Sequence, residues 1–526
     1  MYNRKTLNKP YAGLLAITLG YCVPLMCQVP VYTGQYNNGR TSANQAETIL
    51  TTSNVNSVRF GLLFSRAVDA QIYAQPLYVP NVTINSRTQN VVYAATMNNT
   101  VYAFDADNPS ASAALWSVNL GPAVPIAQAK LSPQVGILGT PVIDASTGTL
   151  YVVATTLESG VYYYRLHALD ITSGAEKFGG PAVIQGSVPG TAADGINGRV
   201  TFNPGAILQR PALLLFGGVI HIAFGTSNYN PGHLPYHGWL MGYSAATLAQ
   251  VYIINSTPNG SDGGIWMSGV GPSADANGLY FAVGNGSTGG GNFGETVIRL
   301  GGKTDFFTPA NFSTLNYFDW DMGSGGPVLI PGTNLLAIGG KIGVLFLLNR
   351  TNLGQYQANN QGAALGFQES PVCASQVYNG CDEIHHLTYW YRGASPSYLY
   401  VWAWNDSLKA FALSNSVLNT TPASSNNMPV GYPGGILALS ANGTTAGTGI
   451  LWAITAAQPY IGDGLAPGVL HAFDASNVSR ELWNSAMNPA DALGSISKFA
   501  VPVVTNGKVY AATTSNVLQV YGLKPQ

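Results

Sequence analysis

The sequence predicts an all-β protein built as one ring of like units, and three observations carry that prediction. A short hydrophobic strand recurs eight times. The composition is rich in turn residues and poor in charge. The C-terminal stretch forms a meander that lacks its outermost strand.

The recurring strand is Val92-Tyr93-Ala94-Ala95-Thr96, with copies beginning at Leu150, Ile220, Leu279, Leu335, Leu399, Ile450 and Val509. Successive copies start 51 to 70 residues apart, a longer period than WD40 or kelch repeats but of the same kind. Eight copies imply eight units. A second signature follows several of them: Tyr102-Ala103-Phe104-Asp105 leads to Leu115-Trp116, and His471-Ala472-Phe473-Asp474 leads to Leu482-Trp483. His167-Ala168-Leu169-Asp170 leads to Lys177-Phe178 in the same way. The Asp heads a turn by accepting backbone N–H groups, and the aromatic residue returns to pack between sheets. These aspartates are therefore turn formers rather than catalytic acids.

Charged residues make up 9% of the chain and the formal net charge is −1, against about 25% charged in an average domain. No basic field exists to hold nucleic acid, and no acidic tail to hold cations. With 62 glycines and 29 tyrosines, the composition suits strands joined by many turns.

The C-terminal meander has three runs, Phe499–Val504, Lys508–Thr513 and Val517–Leu523, divided by Thr505-Asn506-Gly507 and Thr514-Ser515-Asn516. Both dividers tolerate positive φ. An open edge would remain, and Phe60–Val68 is the strand expected to cover it.

Taken in order, residues 1–27 read as a secretory signal peptide: Arg4, Lys5 and Lys9 precede an apolar run from Tyr11 to Met26. The run is short for a bilayer span and is broken by Gly20 and Pro24, so no membrane span is expected after cleavage. The mature protein is expected to be secreted or periplasmic. Residues 28–59 are a polar N-terminal extended segment expected to cross the surface, and residues 60–526 form the ring. The fourth to sixth units carry long insertions at Gly284–Glu295, Thr304–Gly326 and Leu353–Arg392, where function tends to sit. Cys373 and Cys381 suit a local disulfide in an oxidising compartment.

With these repeats in view the chain resembles the pyrroloquinoline-quinone (PQQ)-like β-propellers of the quinoprotein alcohol dehydrogenase-like superfamily. It looks closest to a secreted bacterial branch. The segments that carry this closer likeness are Tyr36-Asn37-Asn38-Gly39-Arg40-Thr41, Gln75-Pro76-Leu77-Tyr78-Val79-Pro80, Gly139-Thr140-Pro141-Val142-Ile143-Asp144 and Tyr236-His237-Gly238-Trp239. The resemblance implies an eight-bladed β-propeller of four-stranded antiparallel blades, with an N-terminal strand closing the ring. In an enzyme of this type PQQ lies over the channel on an aromatic floor. Calcium is chelated by carboxylate and amide oxygens, and an Asp takes the alcohol proton. No adjacent cysteine pair is present, and no carboxylate–Asn pair stands in a recognisable sequence context, so these roles are not carried onto particular residues.

The ligand-binding candidates lie in the irregular units. His233, His237 and Trp239 belong to GHLPYHGW, a loop by its Gly and Pro content. Asp319 and Asp321 flank Trp320, and Glu383, His385 and His386, with Arg392 close by, form the densest ionisable cluster in the chain. For each group the plainer reading is a side chain bonded to loop backbone; a joint metal site is the sharper one. Gly284–Gly291 lacks a Gly-Lys-Ser/Thr ending and reads as a flexible loop. No G-x-S-x-G elbow or H-E-x-x-H helix is present. With complete repeats and no legible catalytic set, the function expected first is a binding or scaffold module for a protein, glycan or small ligand. A PQQ- and calcium-dependent dehydrogenase of alcohols or sugars is the alternative.

Overall fold

The computed structural model describes residues 28–126, 133–226, 234–361, 365–369, 383–393, 395–457 and 466–525. Eight successive sheets form the blades. In blade 1 the strands Leu77–Ile84, Arg87–Ala95, Thr100–Asp105 and Trp116–Asn119 pair antiparallel in chain order. The first strands of blades 2 to 8 are Val142–Asp144, Ile207–Leu208 continued by Leu214–Phe216, Ser273–Asp275, Val328–Leu329, Leu387–Trp390, Ile436–Ser440 and Val503–Thr505.

The core lies between blades. One buried cluster joins Val91 and Tyr93 of blade 1 to Leu150 and Val152 of blade 2. Another joins Tyr78 and Val92 of blade 1 to Tyr510 and Val520 of blade 8, so the succession returns on itself. The outer strand of blade 8 is Phe60–Ala67, as expected, antiparallel to Val517–Leu523 with Phe60 opposite Leu523 and Phe64 opposite Val520. Phe60 anchors it, its ring 5.3 Å from Trp452 and 4.9 Å from Trp483. The repeat aspartates head turns: Asp105 accepts from the Asp107 and Asn108 N–H groups, and Asp474 from that of Ser476. The meander begins at Val503 rather than Phe499, because Phe499 adopts φ +68° and turns away from the sheet.

The first half of the polar N-terminal segment, residues 29–44, does not cross the surface but is buried at the axis, whereas residues 45–59 run across the surface as expected, with Val58 83% exposed. The first strand of each blade presents a free backbone edge where the blades converge, and a buried N–H needs a partner. At the same register position in six blades the N–H of Tyr78, Ile143, Ala274, Leu329, Tyr389 and Leu439 donates to the carbonyls of Val31, Tyr32, Asn38, Gly39, Thr41 and Ser42. In blade 8 the Val504 N–H donates to the Tyr36 hydroxyl at 2.6 Å. Only blade 3 pairs elsewhere: its Leu213 N–H takes the Thr140 carbonyl. Arg40, with 0% exposure, binds that blade by the Leu213 carbonyl at 3.0 Å and blade 4 by the Pro272 carbonyl at 2.8 Å. Left-handed backbone at Gln35, Tyr36, Arg40 and Ser42 coils the segment tightly enough to reach all eight blades. Its polarity serves strand edges instead of water.

Candidate functional site

The residues that lead into the first strands line the other end of the channel. Two groups of ionisable side chains meet there.

The first group sits on blades 4 and 5. The helix Phe312–Phe318 ends at Asp319 in the left-handed region (φ 59°). Asn316 fixes this helix to the glycine-rich loop, donating to the Gly286 carbonyl at 3.0 Å and accepting its N–H at 2.8 Å. Asn285 is thereby set against both aspartates: its N–H donates to Asp321 Oδ1 at 2.7 Å and its Nδ2 to Asp319 Oδ1 at 2.6 Å. Gly284 is required here, since a Cβ would stand 2.6 Å from Asp321 Oδ1. The loop expected to be flexible is thus pinned on both sides. Lys341 Nζ lies 2.6 Å from Asp321 Oδ2 and 3.2 Å from Asp319 Oδ2. Below them the buried Glu295 accepts the Met322 N–H at 2.7 Å.

Burial and the neighbouring Asp321 charge raise the Asp319 carboxyl to about 6, Lys341 offsetting part of the rise. Burial and Asp321 likewise raise Glu295 well above the usual carboxylate range. Burial alone would favour neutral Lys341, but Asp321, Glu383 and Asp319 outweigh it and hold the ammonium charged. Two oxygens in this set, Asn285 Oδ1 and Glu295 Oε1, are buried with no hydrogen-bond donor. Among the described residues, no three His, Cys, Asp or Glu side chains already stand in metal-ligating proximity.

The second group fills the axis. His385 Nδ1 and the Ser268 hydroxyl are 2.9 Å apart, and His385 Nε2 lies 2.5 Å from Glu383 Oε2 without hydrogen-bond alignment. The Phe499 ring lies 4.8 Å from His385 and 5.9 Å from His386. Arg210 reaches across to the Leu138 and Lys498 carbonyls at 3.2 and 2.7 Å. His386 is 3% exposed; its ring faces the Phe499 backbone, and neither ring nitrogen has an aligned hydrogen bond. Burial, with the charges of His385 and Arg210, lowers its pKa to about 3, so it is neutral.

The remaining candidates lie apart. His237 is held by Asp194 at 3.1 Å and Thr257 at 2.9 Å, and Trp239 is a core residue. Arg392 stacks over Trp390 and Tyr398, 4.8 and 5.1 Å from their centroids, rather than joining Glu383. His233, Cys373, Cys381 and residues 1–27 lie outside the described residues. Sequence reasoning missed Asn285, Glu295 and Lys341. The one available signal was the scarcity of charge, which makes any buried lysine or glutamate worth attention.

No family model and no curated protein sequence matches the chain. Among solved structures it is similar to the quinohemoprotein alcohol dehydrogenase from Comamonas testosteroni, with TM-score 0.59 and 14% identity over 95% of this chain and 81% of that one. A europium-containing methanol dehydrogenase gives TM-score 0.58 and 14% identity over 94% and 98%. The fold is a quinoprotein-like β-propeller. Among the described residues, no helix is long and apolar enough to cross a membrane.

Proposed function

We propose that this propeller is a dehydrogenase of alcohols or sugars that works with PQQ and calcium after export from the cytoplasm. The observation carrying the reading is the pair of donorless buried oxygens, Asn285 Oδ1 and Glu295 Oε1, beside the Asp319 and Asp321 carboxylates. Leaving a buried acceptor unmet costs roughly 1–3 kcal/mol, and amide and carboxylate oxygens are what a hard cation takes. The donor set therefore fits the group that the resemblance implies. Asn285, Glu295 and Asp321 would hold calcium, leaving Asp319 beside them as the proton acceptor, and the Lys341 ammonium suits an anionic cofactor. When bound, the quinone supplies the two-electron acceptor. Asp319, with its carboxyl near 6, is ionised at neutral pH and is basic enough to take a hydroxyl proton. Lys341 holds the resulting charge distribution in place. The two dehydrogenase structures that share the fold add support.

A binding or scaffold module for a protein or glycan is the second reading. It is favoured by the filled axis, where Arg210, His385, His386 and Phe499 occupy the channel.

Calorimetric titration with calcium, followed by dye reduction with PQQ and a panel of alcohols and aldoses, separates the two. Calcium binding with turnover that Asp319→Asn abolishes is the expected result. A well-folded protein that binds no calcium and reduces no dye would leave the scaffold reading in its place.

A further inference from the structure

On the plug face, where the first strand of blade 8 turns back, a separate cavity of about 360 Å³ opens between three parts of the chain. Gln28, Glu47 and Ile49 come from the N-terminal segment, Asn90 and Asp107 from blade 1, and Asn506 and Lys508 from blade 8. Its chemistry follows from which polar groups already have partners.

Its charged groups are already engaged. The Glu47 carboxylate accepts the N–H groups of Ile49 at 2.7 Å, Leu50 at 3.2 Å and Gly507 at 3.1 Å. Lys508 pairs with Asp107 at 2.8 Å, and Asn90 donates to the other Asp107 oxygen at 2.6 Å. The neutral groups are not matched. Asn506 Oδ1 accepts the Val29 N–H at 3.1 Å, which fixes the amide orientation and leaves Nδ2 buried without an acceptor. Gln28 Oε1 is buried without a donor, and behind the cavity wall the Tyr78 hydroxyl faces the Asn506 side chain without an aligned hydrogen bond. Burial, with Asp107 and Glu47 close by, keeps that phenol protonated. Ile49, 38% exposed, gives an apolar wall; it packs on Gly507, where a Cβ would stand 2.9 Å from its Cγ2.

We propose that this cavity binds a neutral polyhydroxylated ring of monosaccharide size. An anion would meet two carboxylates with the one ammonium already paired to Asp107, and an ammonium, which only donates, would leave the Asn506 N–H unmet. A hydroxyl group both donates and accepts, so one polyol can answer the Asn506 amide N–H and the Gln28 amide carbonyl together. The C–H face of a pyranose suits Ile49, and the volume lies at the small end of ligand pockets, about 300–1,000 Å³. Because the walls come from both ends of the chain, an occupant clamps the seam where blade 8 meets blade 1. This site is independent of the entry-face chemistry.

The test is saturation-transfer NMR on the full chain with glucose, galactose and myo-inositol, with glucuronate and glucosamine as charged controls, alongside thermal unfolding. Asn506→Asp replaces the unmet donor with an acceptor and keeps a residue that tolerates the local φ of +52°. Neutral rings are expected to bind and to raise the melting temperature. Asn506→Asp should weaken binding about tenfold, the equivalent of ~1.4 kcal/mol, and Asp319→Asn should leave it unchanged. Should Asn506→Asp fail to fold, Gln28→Ala at the cavity edge supplies the same loss of affinity. No binding of neutral rings, binding of the charged controls alone, or unchanged affinity in a folded Asn506→Asp or Gln28→Ala protein overturns the proposal.

Discussion

At the plug end of the channel Arg40 donates from Nε to the Pro272 carbonyl, from Nη1 to Thr33 and Gly34, and from Nη2 to the Leu213 carbonyl. At the entry end Glu295 and His386 are as deeply buried and Asn285 is half-buried, yet each keeps buried atoms without an aligned hydrogen bond. Both ends place ionisable groups away from water, where an unmatched group is costly. The plug end satisfies the Arg40 and Glu47 charges largely with backbone and so adds rigidity, although neutral side chains there, the Gln28, Gln35 and Asn506 amides among them, keep unmet atoms. The other leaves valences open, which is the expected condition of a site that completes itself with a ligand.

The comparison is tested most severely by Arg40→Ala. Losing the guanidinium strands the Gly34, Leu213 and Pro272 carbonyls and loosens a segment held by seven blades, so a loss of about 3–5 kcal/mol is expected in chemical denaturation. A loss below ~1 kcal/mol would show that the plug is not the rigid end. The entry end should show its own weakness in acid. His386 has a folded pKa of about 3 against an ordinary 6.5. The unfolded chain therefore takes up a proton below pH 6.5 that the folded chain refuses until about pH 3. Stability from this group is lost as pH falls through that window, at about 1.4 kcal/mol per unit. His386→Leu should flatten that slope.

Asp319 works in the opposite direction. Its carboxyl is raised from 3.8 to about 6, so the folded state holds its proton more tightly than the unfolded state. In calcium-free protein, stability should fall as pH rises from 3.8 to 6, by at most ~3 kcal/mol. Asp319→Asn should remove the decline, and calcium should reverse it. Arg480→Ala sets the baseline. Its pair with Asp474 joins an arginine side chain 59% exposed, and its loss should change stability by no more than ~0.5 kcal/mol.

The blades were legible because hydrophobic alternation and turn residues are local signals. Phe60–Ala67 could be assigned to blade 8 because three strands cannot end in an open edge. The plug was not legible: Tyr36-Asn37-Asn38-Gly39-Arg40-Thr41 has the composition of a surface loop, and composition does not distinguish water from a strand edge as the hydrogen-bond partner. At the entry end, Asp319, Asp321, Glu383 and His385 stood out in a chain poor in charge. Asn285 did not, because it meets Asp319 across 34 residues of chain from within a run of glycines that reads as slack. Lys341 was a lone charge beside a strand, and only the folded loops bring it between two carboxylates.

The pairing of Phe60–Ala67 with Val517–Leu523 also sets an order of events for biosynthesis. Phe60–Ala67 has no mate until Val517–Leu523 has left the ribosome, so closing the ring waits for the eighth blade and its contacts are highly non-local. Until then, hydrophobic strand edges remain available to other chains. Loss of the strand Val517–Leu523 would return the protein to that state, which makes this strand a sensitive point for quality control.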